Sequence, residues 1–258
     1  MITFFSIALF ISLFLMTFTL ILSSSLKHDT LQPALKIYAG NMLRDYASSQ
    51  DIFSPGNQAN MKNYCSISTD YRFIYNNYSI VIPCQVIENG TDAAIDYSAG
   101  YIIDQIYSSE YNCEFWQCVK DSSTPFVLVS QKSRDYWRGK FAVLLGLSFI
   151  IFASIFLISR NRTTTLIVSG VLIIFAAFPF RKLNWALTFV PEKLSGIFSV
   201  FFTKAHGVFA AMLIIGVIFI GAGILFKILG WDMKFNEDFQ ENEEAPKKVL
   251  YNLKLKKK

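Results

Sequence analysis

Apolar and polar positions alternate on two different scales along this chain. Residues 2–22, 141–158, 166–180 and 208–226 contain no Asp, Glu, Lys, Arg or His. A helix rises about 1.5 Å per residue and a bilayer core is about 30 Å thick, so about 20 apolar residues make one crossing. The first run meets that length. The second and fourth reach it with flanking Lys140, Arg160 and Lys227, whose aliphatic stems can lie along a membrane edge. The third is shortest and ends near Pro179; hydroxyls of Thr163 to Thr165, bonded back to helix carbonyls, extend it to crossing length. A re-entrant segment is the alternative there. For the first run the alternative is a cleaved signal peptide ending at Ser23-Ser24-Ser25, but no Lys or Arg precedes it and it outruns the usual 7–15-residue signal core.

Residues 25–140 follow shorter periods. Leu35, Ala39, Met42, Leu43 and Tyr46 recur at helical spacing, which predicts a helix over 32–49 that the Ser54-Pro55-Gly56-Asn57 cluster breaks. β-Branched and aromatic residues predict strands over 71–74 and 79–87, joined by a turn at Asn76-Asn77 and ended by Asn89-Gly90. Ala94, Ile95, Ala99, Ile102, Ile103 and Ile106 share one face of a helix over 91–108, with Thr91 or Asp92 as N-cap. The fold class that follows is an α-helical membrane protein: a four-transmembrane-helix bundle with a small α+β extracytoplasmic domain inserted between helices 1 and 2. The segments are 1–24, 141–159, 163–180 and 207–229 as transmembrane helices, and 25–140 as the cysteine-containing domain. The stretch 181–206 is read as an outside loop with an interfacial helix near 194–202, and 230–258 as a cytoplasmic charged tail.

Composition sharpens this. The 258 residues are 53% hydrophobic and 17% charged, with mean hydropathy +0.37, against about 45–50% and about 25% in ordinary soluble domains. A soluble enzyme, a nucleic-acid-binding domain and a small secreted disulfide protein are excluded. Sidedness is contested by the charges. Lys132, Arg134, Arg138 and Lys140 before the second span favour a cytoplasmic loop. Four cysteines confined to 25–140, the sequons at Asn77 and Asn89, and a tail carrying Lys234, Lys247, Lys248, Lys254 and Lys256 to Lys258 favour the reverse. Long loops also cross largely regardless of charge. The expectation is a multi-pass protein of the cell membrane with the large loop outside and both termini cytoplasmic. The sequon at Asn161 then falls inside. In a eukaryote the endoplasmic reticulum becomes the alternative, since Lys254-Leu255-Lys256-Lys257-Lys258 resembles a K-x-K-x-x retrieval signal.

In an oxidising space the spacing Cys65-x18-Cys84-x28-Cys113-x4-Cys118 suggests two disulfides, and chain order motivates Cys65 with Cys84 and Cys113 with Cys118. A zinc site is the alternative, although structural zinc sites favour C-x2-to-4-C pairs. No C-x-x-C motif is present for redox catalysis. Tyr111, Phe115, Trp116 and Phe126, with Trp137 near the membrane, form either a recognition patch or rings packed over a disulfide at headgroup level. His28 and His206 have no ligand partner at i+3 or i+4 and are read as interfacial polar residues. Gly216, Gly223 and Gly230 repeat every seven residues, predicting a close helix-packing seam within the bundle, or a homo-oligomer. The charge-free runs argue against a pump, and Ser148, Ser154 and Ser169 in the middle spans are expected to bond their own helix backbones. No catalytic residue, cofactor or metal is expected.

Residues 111–118, the segment Pro125-Phe126-Val127-Leu128-Val129-Ser130 and Phe178-Pro179-Phe180 resemble archaeal four-span membrane proteins of uncharacterised activity with one large outside loop. That resemblance implies the architecture and no activity. Trp116 and Cys118 also match in part the W-GLW-C-C signature of the claudin group. The Gly-Leu-Trp is absent and the loop is about twice too long, so no junctional role is carried over. The expected function is a non-enzymatic envelope scaffold acting through its outside domain, with the lipid bilayer and another membrane or surface protein as partners and no nucleic acid. The alternative is an accessory subunit of a channel or transporter complex.

Overall fold

The computed structural model describes residues 2–49, 55–75, 78–121, 125–159, 161–182 and 199–229. They are mostly helical, with one two-stranded sheet. In chain order the elements are α1 (Ile2–Ser25), α2 (His28–Ser49), α3 (Pro55–Cys65), β1 (Asp70–Tyr75), β2 (Tyr78–Pro83), α4 (Cys84–Glu88), α5 (Thr91–Ser108) and α6 (Phe115–Asp121). A 3-10 turn at Pro125–Val129 leads into α7 (Gln131–Ile158), and α8 (Arg162–Ala177) runs into a second at Phe178–Lys182 before α9 (Ala205–Ile228). Among the described residues four helices are long and apolar enough to cross a membrane. The chain forms two compact units: Met1–Thr17 with Ala142–Arg181 and Gly207–Lys258, and Phe18–Phe141 with Lys182–His206.

In the first unit glycine sets the spacing of α8 and α9. A Cβ on Gly170 would lie 2.6 Å from the Gly216 carbonyl oxygen, and one on Gly223 would lie 3.0 Å from the Thr163 carbonyl oxygen. Backbones that close need side-chain-free positions, and the gain is packing contact that lipid tails do not match. Elsewhere Phe14 stacks on Phe180 at 5.2 Å and Phe152 meets Phe219 edge-on at 5.7 Å. The outward surface of this unit is apolar: Phe4, Val143, Phe149, Leu157 and Ile218 are all exposed. So large an apolar surface is costly in water and suits a hydrocarbon solvent.

Ser12 and Ser148 share a 2.8 Å hydrogen bond, both buried, joining α1 to α7. Ser148 therefore does not satisfy itself on its own backbone, as the sequence suggested, because a second hydroxyl lies within reach; Ser154 does, bonding the Ile150 carbonyl at 2.9 Å. Interhelical hydroxyl bonds in membranes average about 0.6 kcal/mol, since the separated helices find other partners. A double-mutant cycle of Ser12→Ala and Ser148→Ala, read by unfolding in mixed micelles, is expected to give a coupling of about that size.

The second unit has its own core. Leu31, Leu43, Ile80, Ile82, Ile95, Ala99, Ile102 and Ile106 are buried together, from α2, β2 and α5. β1 and β2 pair antiparallel with Tyr75 opposite Tyr78, and Ile80 and Ile82 point inward on alternate positions. Several sequence expectations change here. The strand expected over 79–87 stops at Pro83, whose missing N–H ends the ladder, and Cys84–Glu88 turns helical with the Cys84 N–H on the Thr69 carbonyl. The turn cluster near Pro55 also starts a helix, because proline suits a first helical position. The N-cap of α5 is Gly90 with φ of 105°, not Thr91 or Asp92; a backbone in that region favours glycine. Helix α7 begins at Gln131, well before the apolar run. Finally, Val200 is buried in this core with Phe201 packed beside it, so 199–201 serves the second unit. The remainder of the expected interfacial helix, residues 194–198, lies outside the described residues.

Candidate interaction surface on the disulfide-bonded unit

Helices α2 and α5 bury their apolar faces against each other and leave facing polar edges. His28 Nε2 lies 2.8 Å from Asp104 Oδ1, and Gln32 Nε2 donates to the same oxygen at 3.1 Å. Lys36 pairs with Asp96 at 3.4 Å and Arg44 with Asp92 at 2.9 Å. Positions 28, 36 and 44 on one helix thus meet 104, 96 and 92 on the other, an antiparallel ladder of one hydrogen-bonded His–Asp pair and two ion pairs. Each exposed rung contributes about 0–1 kcal/mol, so the ladder sets register more than stability. His28, read from the sequence as an interfacial polar residue without a metal-ligand partner at i+3 or i+4, is held by Asp104 and meets the Tyr107 ring edge-to-face at 5.0 Å.

Between the rungs lies an open cleft of about 610 Å³, with Asp29, Gln32, Lys36, Tyr97, Tyr101 and Asp104 in its walls. Pro33 and Gly100 line it without long side chains, and a Cβ on Gly100 would meet nothing within 4 Å. The Tyr97 and Tyr101 rings stack at 6.5 Å. Carboxylates, an ammonium, an amide and two phenols supply both donors and acceptors beside aromatic faces, which suits a polar ligand or an extended polypeptide. Sequence reading missed this cleft. The sequence offered only the opposite charges on the two segments, Lys36 and Arg44 on 32–49 against Asp92, Asp96 and Asp104 on 91–108.

The cysteines lie in two bonded pairs, Cys65 with Cys84 and Cys113 with Cys118, with Cα separations of 5.4 and 5.5 Å. The first joins the end of α3 to the start of α4. The second closes a small loop at α6, and the Lys132 ammonium donates to the carbonyls of Tyr111 and Cys113 at its base. Over this loop Phe115 stacks on Tyr136 at 4.3 Å, and the Trp116 indole N–H donates to the Tyr136 hydroxyl at 2.9 Å. Trp137 meets Tyr136 at 5.2 Å and Phe115 at 6.1 Å. Of the aromatics singled out in sequence, Phe115, Trp116 and Trp137 come together. Tyr136, not singled out, is their hub, and the Phe126 side chain lies outside the described residues.

The remaining candidates are dispersed. Gly216 and Gly223 face α8 of the same chain, opposite Gly170 and Thr163. Asn89 is exposed between α4 and α5, and His206 is exposed at the start of α9. Asn77, Gly230 and the tail lie outside the described residues. Among the described residues no three His, Cys, Asp or Glu side chains group as metal ligands. No protein family, curated protein or solved structure matches the chain.

Proposed function

We propose that this chain is a multi-pass membrane protein that holds its disulfide-bonded α+β domain outside the cytoplasm and uses it as a non-enzymatic scaffold for another membrane or surface component. The carrying observation is the α2–α5 cleft, a ligand-sized polar site on a unit with a core of its own. Paired cysteines fit an oxidising compartment, which favours the outside placement. Two measurements in intact cells test the reading. After native thiols are blocked, a cysteine introduced at exposed Gln85 is labelled by an impermeant reagent and one introduced in the tail is not. A photo-crosslinker at Tyr97 then captures one recurrent surface component, and Lys36→Glu with Asp104→Lys abolishes capture. Labelling of the tail but not the loop overturns the sidedness; capture indifferent to both reversals overturns the cleft.

A second reading, an accessory subunit of a channel or transporter complex, is favoured by one flank of α7. Val143 and Phe149 are each 70% exposed and Leu157 is 72% exposed, leaving lateral room for a larger membrane partner. It requires a transporter core that co-purifies in mild detergent and is lost in Phe149→Ser. Co-purification unaffected by that change removes this reading.

A further inference from the structure

We infer that the Cys113–Cys118 loop and α6 form a membrane foot: Trp116 sits among phospholipid headgroups and holds the disulfide-bonded unit at the bilayer edge. The inference rests on the reading of α7 as a membrane span.

Two helices independently fix the depth of the aromatic cluster. On α7, Trp137 precedes Phe141, the first residue of the charge-free run, by four residues, or about 6 Å along the axis. On α1, Phe18 precedes Leu22, the last apolar residue before the polar Ser23-Ser24-Ser25, by four residues, again about 6 Å. The two rings are neighbours, edge to face with centroids 6.3 Å apart, and Phe18 is also 6.3 Å from Phe202 before α9. The boundary between apolar and polar chain therefore passes through this cluster from both directions.

The cluster continues to α6. Phe115 is 5% exposed, spent on Tyr136 and Trp137, whereas Trp116 is 55% exposed while its N–H is tied to Tyr136. An amphipathic ring with its polar edge anchored and its face open is the form aromatic residues take at membrane interfaces. The cations nearby complement phosphate: the Lys140 ammonium lies 5.3 Å from the Tyr136 ring centroid, and Arg138 is exposed one position beyond Trp137. The disulfide and the Lys132 contacts to Tyr111 and Cys113 stiffen the loop, so the indole enters the headgroup layer with little further ordering.

Tryptophan quenching in nanodiscs tests the foot on the full chain. Wild type and Trp116→Phe are placed in phosphatidylcholine discs that are unbrominated, brominated near the carbonyl end of the acyl chain, or brominated near its terminus. The difference emission, which isolates Trp116, is expected to fall about twofold with the shallow bromines and to change little with the deep ones. Phe149→Trp, in the middle of the apolar part of α7, supplies the reference and should respond most to deep bromines. A quenched reference with Trp116 emission unchanged by either lipid overturns the foot and leaves the membrane reading standing. An unquenched reference overturns the membrane reading, and the foot with it. Trp116→Tyr, read the same way, guards against misfolding of the first variant; agreement of the two difference spectra on no quenching likewise overturns the foot.

Discussion

Gly170→Leu is expected to be among the most damaging single substitutions in this chain, lowering stability by about 3 kcal/mol. The reason is what the new side chain would meet. Its Cβ alone would lie 2.6 Å from the Gly216 carbonyl oxygen and 3.0 Å from the Ile220 backbone nitrogen. Neither is a side chain that can swing away, so the two helices must part. On α8 the positions facing the seam are Thr163, Ile167, Gly170 and Ile174; on α9 they are Gly216, Ile220 and Gly223. These recur at alternating steps of three and four, an average of 3.5, which is the period of helices wrapped at a shallow left-handed angle. Separation at Gly170 is therefore transmitted to Gly223, one heptad along. Gly170→Ala should cost less than leucine, and Gly170→Ala with Gly216→Ala should cost less than the sum of the single changes, since both displace the same crossing. Gly221→Ala is the control: its Cβ would meet nothing within 4 Å, so no loss is expected. Unfolding midpoints in mixed micelles, compared across these variants and the Gly216→Ala single change, check the order. Equal midpoints for Gly170→Leu and Gly221→Ala would remove the seam from the account.

Only one side of that seam was legible in the sequence. Gly216 and Gly223 stand out because they repeat within a long apolar run, whereas Gly170 is a lone glycine in the shortest run and carries no period of its own. The same asymmetry recurs elsewhere. Helix α5 could be read from end to end, because six apolar residues share one face and Asn89-Gly90 precedes it. Strand β2 could be read only at its start: Ile80, Ile82 and Cys84 keep a period of two, and Ile87 then shifts to a helical step that Val86 disguises. The start of α7 was hidden because charged residues at 132–140 interrupt hydropathy but not helicity. Ser148 was misassigned since a single helix offers its own carbonyls and gives no sign of a serine on another helix, 136 positions away. The cleft required pairing two helices, and one-dimensional periodicity does not say which polar edge meets which. Val200 joined the second unit for a related reason: its 2% exposure comes from residues distant in sequence.

Loss of the Cys65–Cys84 bond is expected to unsettle the disulfide-bonded unit more than loss of Cys113–Cys118. The sequence separations are 19 and 5, and the chain-entropy model assigns about 3 kcal/mol to the longer loop and about 2 kcal/mol to the shorter. Position adds to the difference. Cys84 is buried, begins α4 directly after β2, and bonds through its N–H to the Thr69 carbonyl, while Cys65 packs against the core from the end of α3. The bond thus clamps α3 and the hairpin onto Ile80, Ile82 and Ile87. A serine at position 84 would also bring a hydroxyl into that core, where an unpaired one costs about 1–3 kcal/mol. Cys65→Ser with Cys84→Ser should lower the melting temperature by about 10 °C, using the scale for a chain of this size. Cys113→Ser with Cys118→Ser should lower it by less. The second pair has a different signature: the loop that Lys132 and Tyr136 hold beside α7 is released, so proteolysis at Lys120 should quicken while the core stays protected. Melting curves and limited trypsin digestion of both variants, in the same detergent, separate the two roles. A larger melting shift for the Cys113–Cys118 variant would place the main staple of this unit at α6 instead of the α3–α4 junction.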